Sequence, residues 1–188
     1  MADNLKVIKT EIPGVLILEP KVFEDARGYF METFSQRDFD RQVVPVLGYP
    51  VRFVQDNESC SSYGVVRGLH FQKAPFSQAK LVRCVRGRVR DVVVDIRPDS
   101  PTFRKHVAVE LSEDNKRLVF IPKGLAHGFA VLSETAVFQY KCDEFYHPEA
   151  ESGLFPLDPG LGIDWGIPEE KMVLSEKDSN AIIVSELS

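Results

Sequence analysis

At 188 residues, with 44% hydrophobic and 27% charged side chains, the chain has the size and composition of one globular domain. A net charge of −5 argues against general nucleic-acid binding, which needs surplus Lys and Arg to neutralise phosphates. No run approaches the roughly 18 apolar residues of a membrane span, so neither nucleic acid nor membrane is an expected partner.

The chain begins with Asp3, Lys6, Lys9 and Glu11 among its first fifteen residues and shows no apolar signal-peptide core there. Short apolar stretches then follow in order: Val15–Phe23, Gly28–Phe34, Val51–Asn57, Val65–Gln72, Lys80–Arg86, Arg88–Arg97, His106–Leu111, Arg117–Ile121, His127–Leu132 and Ala136–Cys142. Gly, Pro, Asn and Asp punctuate them, and several alternate with period two, which predicts strands. Arg86-Gly87-Arg88 reads as a hairpin turn. Gln36–Val44 reads as a helix, with Ser35 as N-cap and Asp38 in its first turn. A short helical turn is expected near Ser175, and the tail from about residue 156 should be irregular because it is rich in Gly and Pro. Many short, evenly spaced strands mean a sandwich or barrel. Neither a repeat nor a linker divides the chain, so a single all-β domain spanning 1–188 is expected. Cys60, Cys84 and Cys142 form no Cys-x-x-Cys pair, which fits reduced cytoplasmic thiols better than disulfides or zinc.

Two histidines stand out, in Gly68-Leu69-His70-Phe71-Gln72 and in Pro122-x-Gly124-x-x-His127-Gly128-Phe129. Metal-binding barrels of the cupin kind place His-x-His on the early strand, where alternate residues share a face and ligate one ion. Here the second position is Gln72, a poor ligand, and no nearby carboxylate completes a set. A two-histidine site and a pair of core histidines both remain open on this pattern. Period two puts Lys80 on the apolar face of Val82 and Cys84, where a cation needs a charge partner or a ligand unless it snorkels out. Arg86, Arg88 and Arg90 form a solvated hairpin face or meet a pyrophosphate. Tyr140 shares an apolar face with Ala136, Phe138 and Cys142, and buried tyrosines usually have a structural partner. Leu174-Ser175-Glu176-Lys177-Asp178 reads most simply as a capped surface turn.

Taken together, Asp25-Ala26-Arg27-Gly28, Phe53-Val54-Gln55-Asp56-Asn57, Val66-Arg67-Gly68-Leu69-His70, Lys80-Leu81-Val82-Arg83, Ser100-Pro101-Thr102-Phe103, Ala126-His127-Gly128-Phe129, Tyr140-Lys141, Ile163-Asp164-Trp165 and Leu174–Asp178 resemble the dTDP-4-dehydrorhamnose 3,5-epimerase family. The matches run in family order from about residue 12 to 180. The resemblance implies a cupin-type jelly roll with a few short helices and no metal or other cofactor. It implies an isomerase acting on dTDP-4-dehydro-6-deoxy-D-glucose, inverting C3 and C5 in dTDP-L-rhamnose biosynthesis. A single-carbon epimerase or a ketoisomerase on a related dTDP-4-keto sugar is the alternative.

By the same resemblance, His70 is the base, Asp178 orients it, Tyr140 is the opposing acid and Lys80 holds the enolate oxygen. Arg27, Glu32, Gln55, Asn57, Arg67, His127, Glu151 and Lys177 are implied to bind the substrate. The N-terminal strands are implied to exchange between subunits of a homodimer. Arg67 and His70 differ by three, so strict alternation would send them to opposite faces; either the Gly68 region is bulged or Arg67 reaches in from a rim.

Overall fold

The alternating stretches become strands because each has an apolar wall to bury one face against. The computed structural model describes residues 4–187. Its strands are β1 (Leu5–Lys9), β2 (Leu16–Pro20), β3 (Val22–Asp25), β4 (Gly28–Met31), β5 (Gln55–Ser62), β6 (Val66–Gln72), β7 (Lys80–Arg86), β8 (Arg88–Asp95), β9 (His106–Ser112), β10 (Leu118–Ile121), β11 (Leu125–Val131), β12 (Thr135–Cys142) and β13 (Glu151–Gly153). Helices α1 (Gln36–Gln42) and α2 (Val44–Leu47) precede β5, and α3 (Glu176–Ser179) lies near the C-terminus.

One antiparallel sheet runs β1-β2-β10-β7-β12-β5 and the other β13-β6-β11-β8-β9. From β5 to β8, and again from β10 to β13, successive strands switch sheets. That makes a jelly roll, as expected. Val82, Cys84, Val93, Phe129 and Phe138 fill the space between the walls.

The outer faces are covered differently. On the five-stranded sheet, Leu154, Leu161, Trp165 and Ile167 of the tail pack over Val66, Leu69, Val92 and Val94. This cover explains why β8 is apolar on both faces. On the six-stranded sheet, Phe39 and Val43 of the helical segment cover Leu16, Leu18, Leu81 and Phe120. Ser35 caps α1 by accepting the Asp38 N–H at 3.3 Å.

Several boundaries differ from the sequence expectation. The stretch from Val15 to Phe23 is two strands, because Pro20 offers no N–H for the ladder to continue. Past it, β3 leaves the sheet and pairs only with β4. β5 starts at Gln55, since Val51 is drawn into the cluster under α1 instead of a ladder. The predicted helix divides at Val43, and Pro45 sits in the first turn of α2, where a missing N–H costs little. β1 and β13 were not expected; both are short edge strands, β1 with Leu5, Val7 and Ile8 set among lysines and β13 with no large apolar residue.

Candidate active site

The jelly roll brings two facing walls to one hollow. His70 on β6 and His127 on β11 are direct register partners on the five-stranded wall. Lys80 opens β7 on the six-stranded wall, and Tyr140 of β12 stands beside Val82 on one side and Asn57 on the other. His70 therefore faces Lys80 and Tyr140 across the barrel. All three line both an outer hollow of about 320 Å³ and an inner one of about 230 Å³. The outer hollow alone reaches the lower end of the range of small-molecule sites, about 300 Å³, and the inner one adjoins it through the same three side chains.

Arg67 also lines the inner hollow. Between Phe129↔Arg67 and His127↔His70, β11 advances two residues while β6 advances three, so Gly68 is the extra residue of a bulge. The bulge, not a rim position, puts Arg67 and His70 on one face. Arg67 Nε donates to Ser61 Oγ at 2.9 Å. Gly68 has φ +122°, and a Cβ there would lie 2.6 Å from Gly128 Cα and 2.7 Å from His127 O. Only glycine suits this position.

His70 Nε2 is 2.6 Å from Asp178 Oδ1. Asp178 is almost fully buried. It sits on α3, whose Ser175 cap accepts the Asp178 N–H at 3.1 Å, so the capping expectation was correct. Burial pushes the Asp178 carboxyl up, but the His70 hydrogen bond and charge outweigh it and hold it below the usual range. The carboxylate is thus ionised and fixes the ring through Nε2, leaving Nδ1 as the ring nitrogen that Asp178 does not engage.

A second pair lies alongside: His127 Nε2 is 2.7 Å from Asp91 Oδ2, both side chains buried. Sequence reasoning missed Asp91. Its signal was an acid on the inward face of β8, between Val89 and Val93.

Lys80 is enclosed by the walls, its accessible part facing the hollow. Burial lowers its pKa, opposed by charge attraction from the Asp91 and Glu151 carboxylates. Among the described residues no hydrogen bond or ion pair reaches its ammonium. A buried cation without a partner is costly, and a ligand oxygen is its natural complement. Burial raises the Tyr140 hydroxyl, so it stays protonated and able to donate. Burial likewise pushes the Cys142 thiol up to about 11, against the pull of Lys80, so beside Lys80 stands a neutral thiol.

At the rim, Lys177 pairs with Glu151, and Tyr146 Oη donates to Glu151 Oε2 at 2.7 Å. Burial raises Glu151, but these hydrogen bonds prevail and keep it ionised. On the six-stranded wall, Gln55 Nε2 donates to Asn57 Oδ1 at 3.1 Å.

The sequence model described as dTDP-4-dehydrorhamnose 3,5-epimerase matches residues 9–186. The chain belongs to this family. It is 53% identical over 184 residues to the dTDP-4-dehydrorhamnose 3,5-epimerase of Escherichia coli K12, covering 97% of this chain and 96% of that protein. The fold superposes on the crystal structure of the epimerase from Elizabethkingia anophelis with TM-score 0.91 at 51% identity, covering 98% and 100% of the two chains. It also superposes on a Legionella pneumophila dTDP-6-deoxy-D-glucose-3,5-epimerase in complex with dTDP-4-keto-L-rhamnose, with TM-score 0.91 at 47% identity, covering 98% and 95%.

In this member of the epimerase family, the position after His70 where a cupin metal ligand would stand is occupied structurally. The Gln72 amide is buried and bonded to three backbone groups. Among the described residues no three His, Cys, Asp or Glu side chains converge as a metal would require. Two expected binding residues lie apart from the hollow. Arg27, at the tip of the β3–β4 ribbon, pairs with Asp25 at 2.5 Å, and Glu32 lines a separate crevice near α1.

Proposed function

We propose that this chain is an isomerase that epimerises dTDP-4-dehydro-6-deoxy-D-glucose at C3 and C5 to dTDP-4-dehydro-L-rhamnose, in dTDP-L-rhamnose biosynthesis. The observation that carries the reading is the hollow itself. An ionised carboxylate holds an imidazole on one wall, and a protonated phenol and an ammonium that no hydrogen bond among the described residues reaches stand on the other.

The C4 ketone acidifies the protons on C3 and C5. His70 takes one of them, and the C–H electron pair moves onto the C4 oxygen as an enolate. The Lys80 ammonium holds that oxygen, stabilising charge where it develops. Tyr140 then gives its proton to the same carbon from the opposite face, and the enolate collapses to the ketone. Asp178 stabilises the imidazolium in the interval. Solvent returns a proton to Tyr140 and removes one from His70, and the cycle repeats at the other carbon. Arg67, His127, Gln55, Asn57, Glu151 and Lys177 line or border the hollow and serve as substrate contacts.

Arg27 and Glu32 join that set only if another subunit presents them. The β3–β4 ribbon exposes Phe23, Tyr29 and Phe30, the last at 67%. Such aromatics on a ribbon paired with nothing else favour a homodimer in which these strands reach the neighbouring subunit. No helix among the described residues is long and apolar enough to cross a membrane. The three free cysteines suit the reducing cytoplasm, the location proposed here.

The test is turnover in D₂O, with and without chelator, read by mass and NMR. Deuterium at both C3 and C5 with inverted stereochemistry supports the reading. Incorporation at one carbon points to a single epimerase, and a ketone moved to C3 points to an isomerase of the other kind. Undiminished exchange in His70→Ala would falsify the base assignment.

A further inference from the structure

Gln72 is the residue that departs from the metal-binding pattern, and the hydrogen bonds show where its side chain is used. It lies two residues after His70 on β6, hence on the same face, and is only 6% exposed. Its Nε2 donates to Phe76 O at 2.6 Å and Phe145 O at 3.1 Å, and its Oε1 accepts the His147 N–H at 2.7 Å. Both amide hydrogens and the carbonyl are therefore engaged by backbone from two loops.

A second glutamine repeats the grip. Gln78 Nε2 donates to Glu144 O at 2.8 Å and to the same Phe145 carbonyl at 3.2 Å. The rings of Phe76 and His147 stack at 3.8 Å across the junction. The two glutamines thereby hold the backbone of Glu144, Phe145 and His147, on both sides of Tyr146. The product of this clamp is the placement of Tyr146, which lines the outer hollow with His70, Lys80 and Tyr140. Its N–H donates to Gln55 Oε1 at 3.2 Å and its hydroxyl to Glu151, which in turn pairs with Lys177 beside Asp178.

We propose that Gln72, seconded by Gln78, is a positioning residue that holds the 144–147 segment as a fixed wall of the substrate hollow. Gln72 and Gln78 line the outer hollow too, but the polar atoms of Gln72 are taken up by backbone, so it acts through Tyr146 and touches no reacting atom. Its effect therefore falls on substrate capture, not on proton transfer. This rests on the reading that the hollow takes the nucleotide sugar.

The test is Gln72→Met, which keeps side-chain length and removes every hydrogen bond. Amide hydrogen exchange is measured without substrate, so it answers for the clamp whatever the activity proves to be. Exchange should accelerate at His147, and also at Tyr146, whose own acceptor is Gln55. In kinetics, KM should rise about tenfold, the equivalent of one or two net hydrogen bonds, while kcat stays within about twofold. Gln78→Ala should move KM in the same direction by less, and carries the test if Gln72→Met does not fold. Unchanged exchange at Tyr146, or kcat falling with KM constant, overturns the proposal. Wild-type protein that neither binds nor turns over the 4-keto sugar overturns the functional reading, and leaves the exchange result to judge the clamp.

Discussion

Arg67 and His70 stand three residues apart on one strand and still face the same hollow, because Gly68 is an extra residue opposite β11. The bulge depends on Gly68 for both its positive φ and its close approach to Gly128. Gly68→Ala should cost about 2–4 kcal/mol, from backbone strain plus overpacking against main chain that has nowhere to move. Urea unfolding measures it. A variant as stable as the parent would mean that the strand can close without the bulge.

Asp178 reaches His70 from α3, 108 residues further along the chain. Asp178→Asn keeps the shape and removes the charge that stabilises the imidazolium. Deuterium exchange at both sugar carbons should slow by about 10²–10⁴-fold, the usual range for disabling a general acid–base group. Retained rates would assign the pair a structural role. Tyr140→Phe should separate the two half-reactions. Abstraction by His70 continues, so recovered substrate gains deuterium while inversion falls behind.

Among the described residues, no hydrogen bond or ion pair holds the Lys80 ammonium, whose charge burial disfavours. Lys80→Met should therefore raise the Tm, because a desolvated charge held by no hydrogen bond leaves the barrel interior. The same change should lower kcat about 10²–10³-fold, the loss typical of one oxyanion-stabilising donor. A drop in both Tm and activity would contradict this account of the site.

Acid should weaken the fold at a defined place. Asp95 is fully buried, and burial alone would raise its pKa. Hydrogen bonds from Arg97, Ser100 and Thr102 overcome this and bring it down to about 2. A carboxyl depressed in the folded state contributes stability above its unfolded value, near 3.9, and loses it as pH falls towards 2. About 2 kcal/mol should be lost across that window. Asp95→Asn should be less stable at pH 7 and lack that acid slope, as read by denaturant titrations at several pH values.

The homodimer has its own test in mixed variants. Arg27→Ala and His70→Ala are each expected to be impaired. If Arg27 serves the neighbouring subunit, a hybrid dimer contains one hollow with both residues intact. Activity at low substrate should then reappear on mixing and subunit exchange. Its absence, with hybrids demonstrated by mass, would place Arg27 outside the site.

Period two along β7 and β12 was enough to turn Lys80 and Tyr140 inward, since alternate strand residues must share a face. The Ser175 cap was equally legible, because it is a contact between residues three apart. Ser100-Pro101-Thr102 was visible as a family motif, but its reason was not. Its hydroxyls each reach Asp95 at 2.6 Å, and that loop geometry is invisible to a strand pattern.

What local pattern determined, then, was which side chains face inward and where helices are capped, because those follow from dihedral period and nearest neighbours. Sequence motif carried the family. Tertiary structure alone decided that Arg67 turns with His70, that Asp91 meets His127, that the tail buries a second face of β8, and that Gln72 grips two loops. Each of these depends on which strands become neighbours. Pairing across a barrel is set by the packing of the whole chain, so no short window of residues contains it.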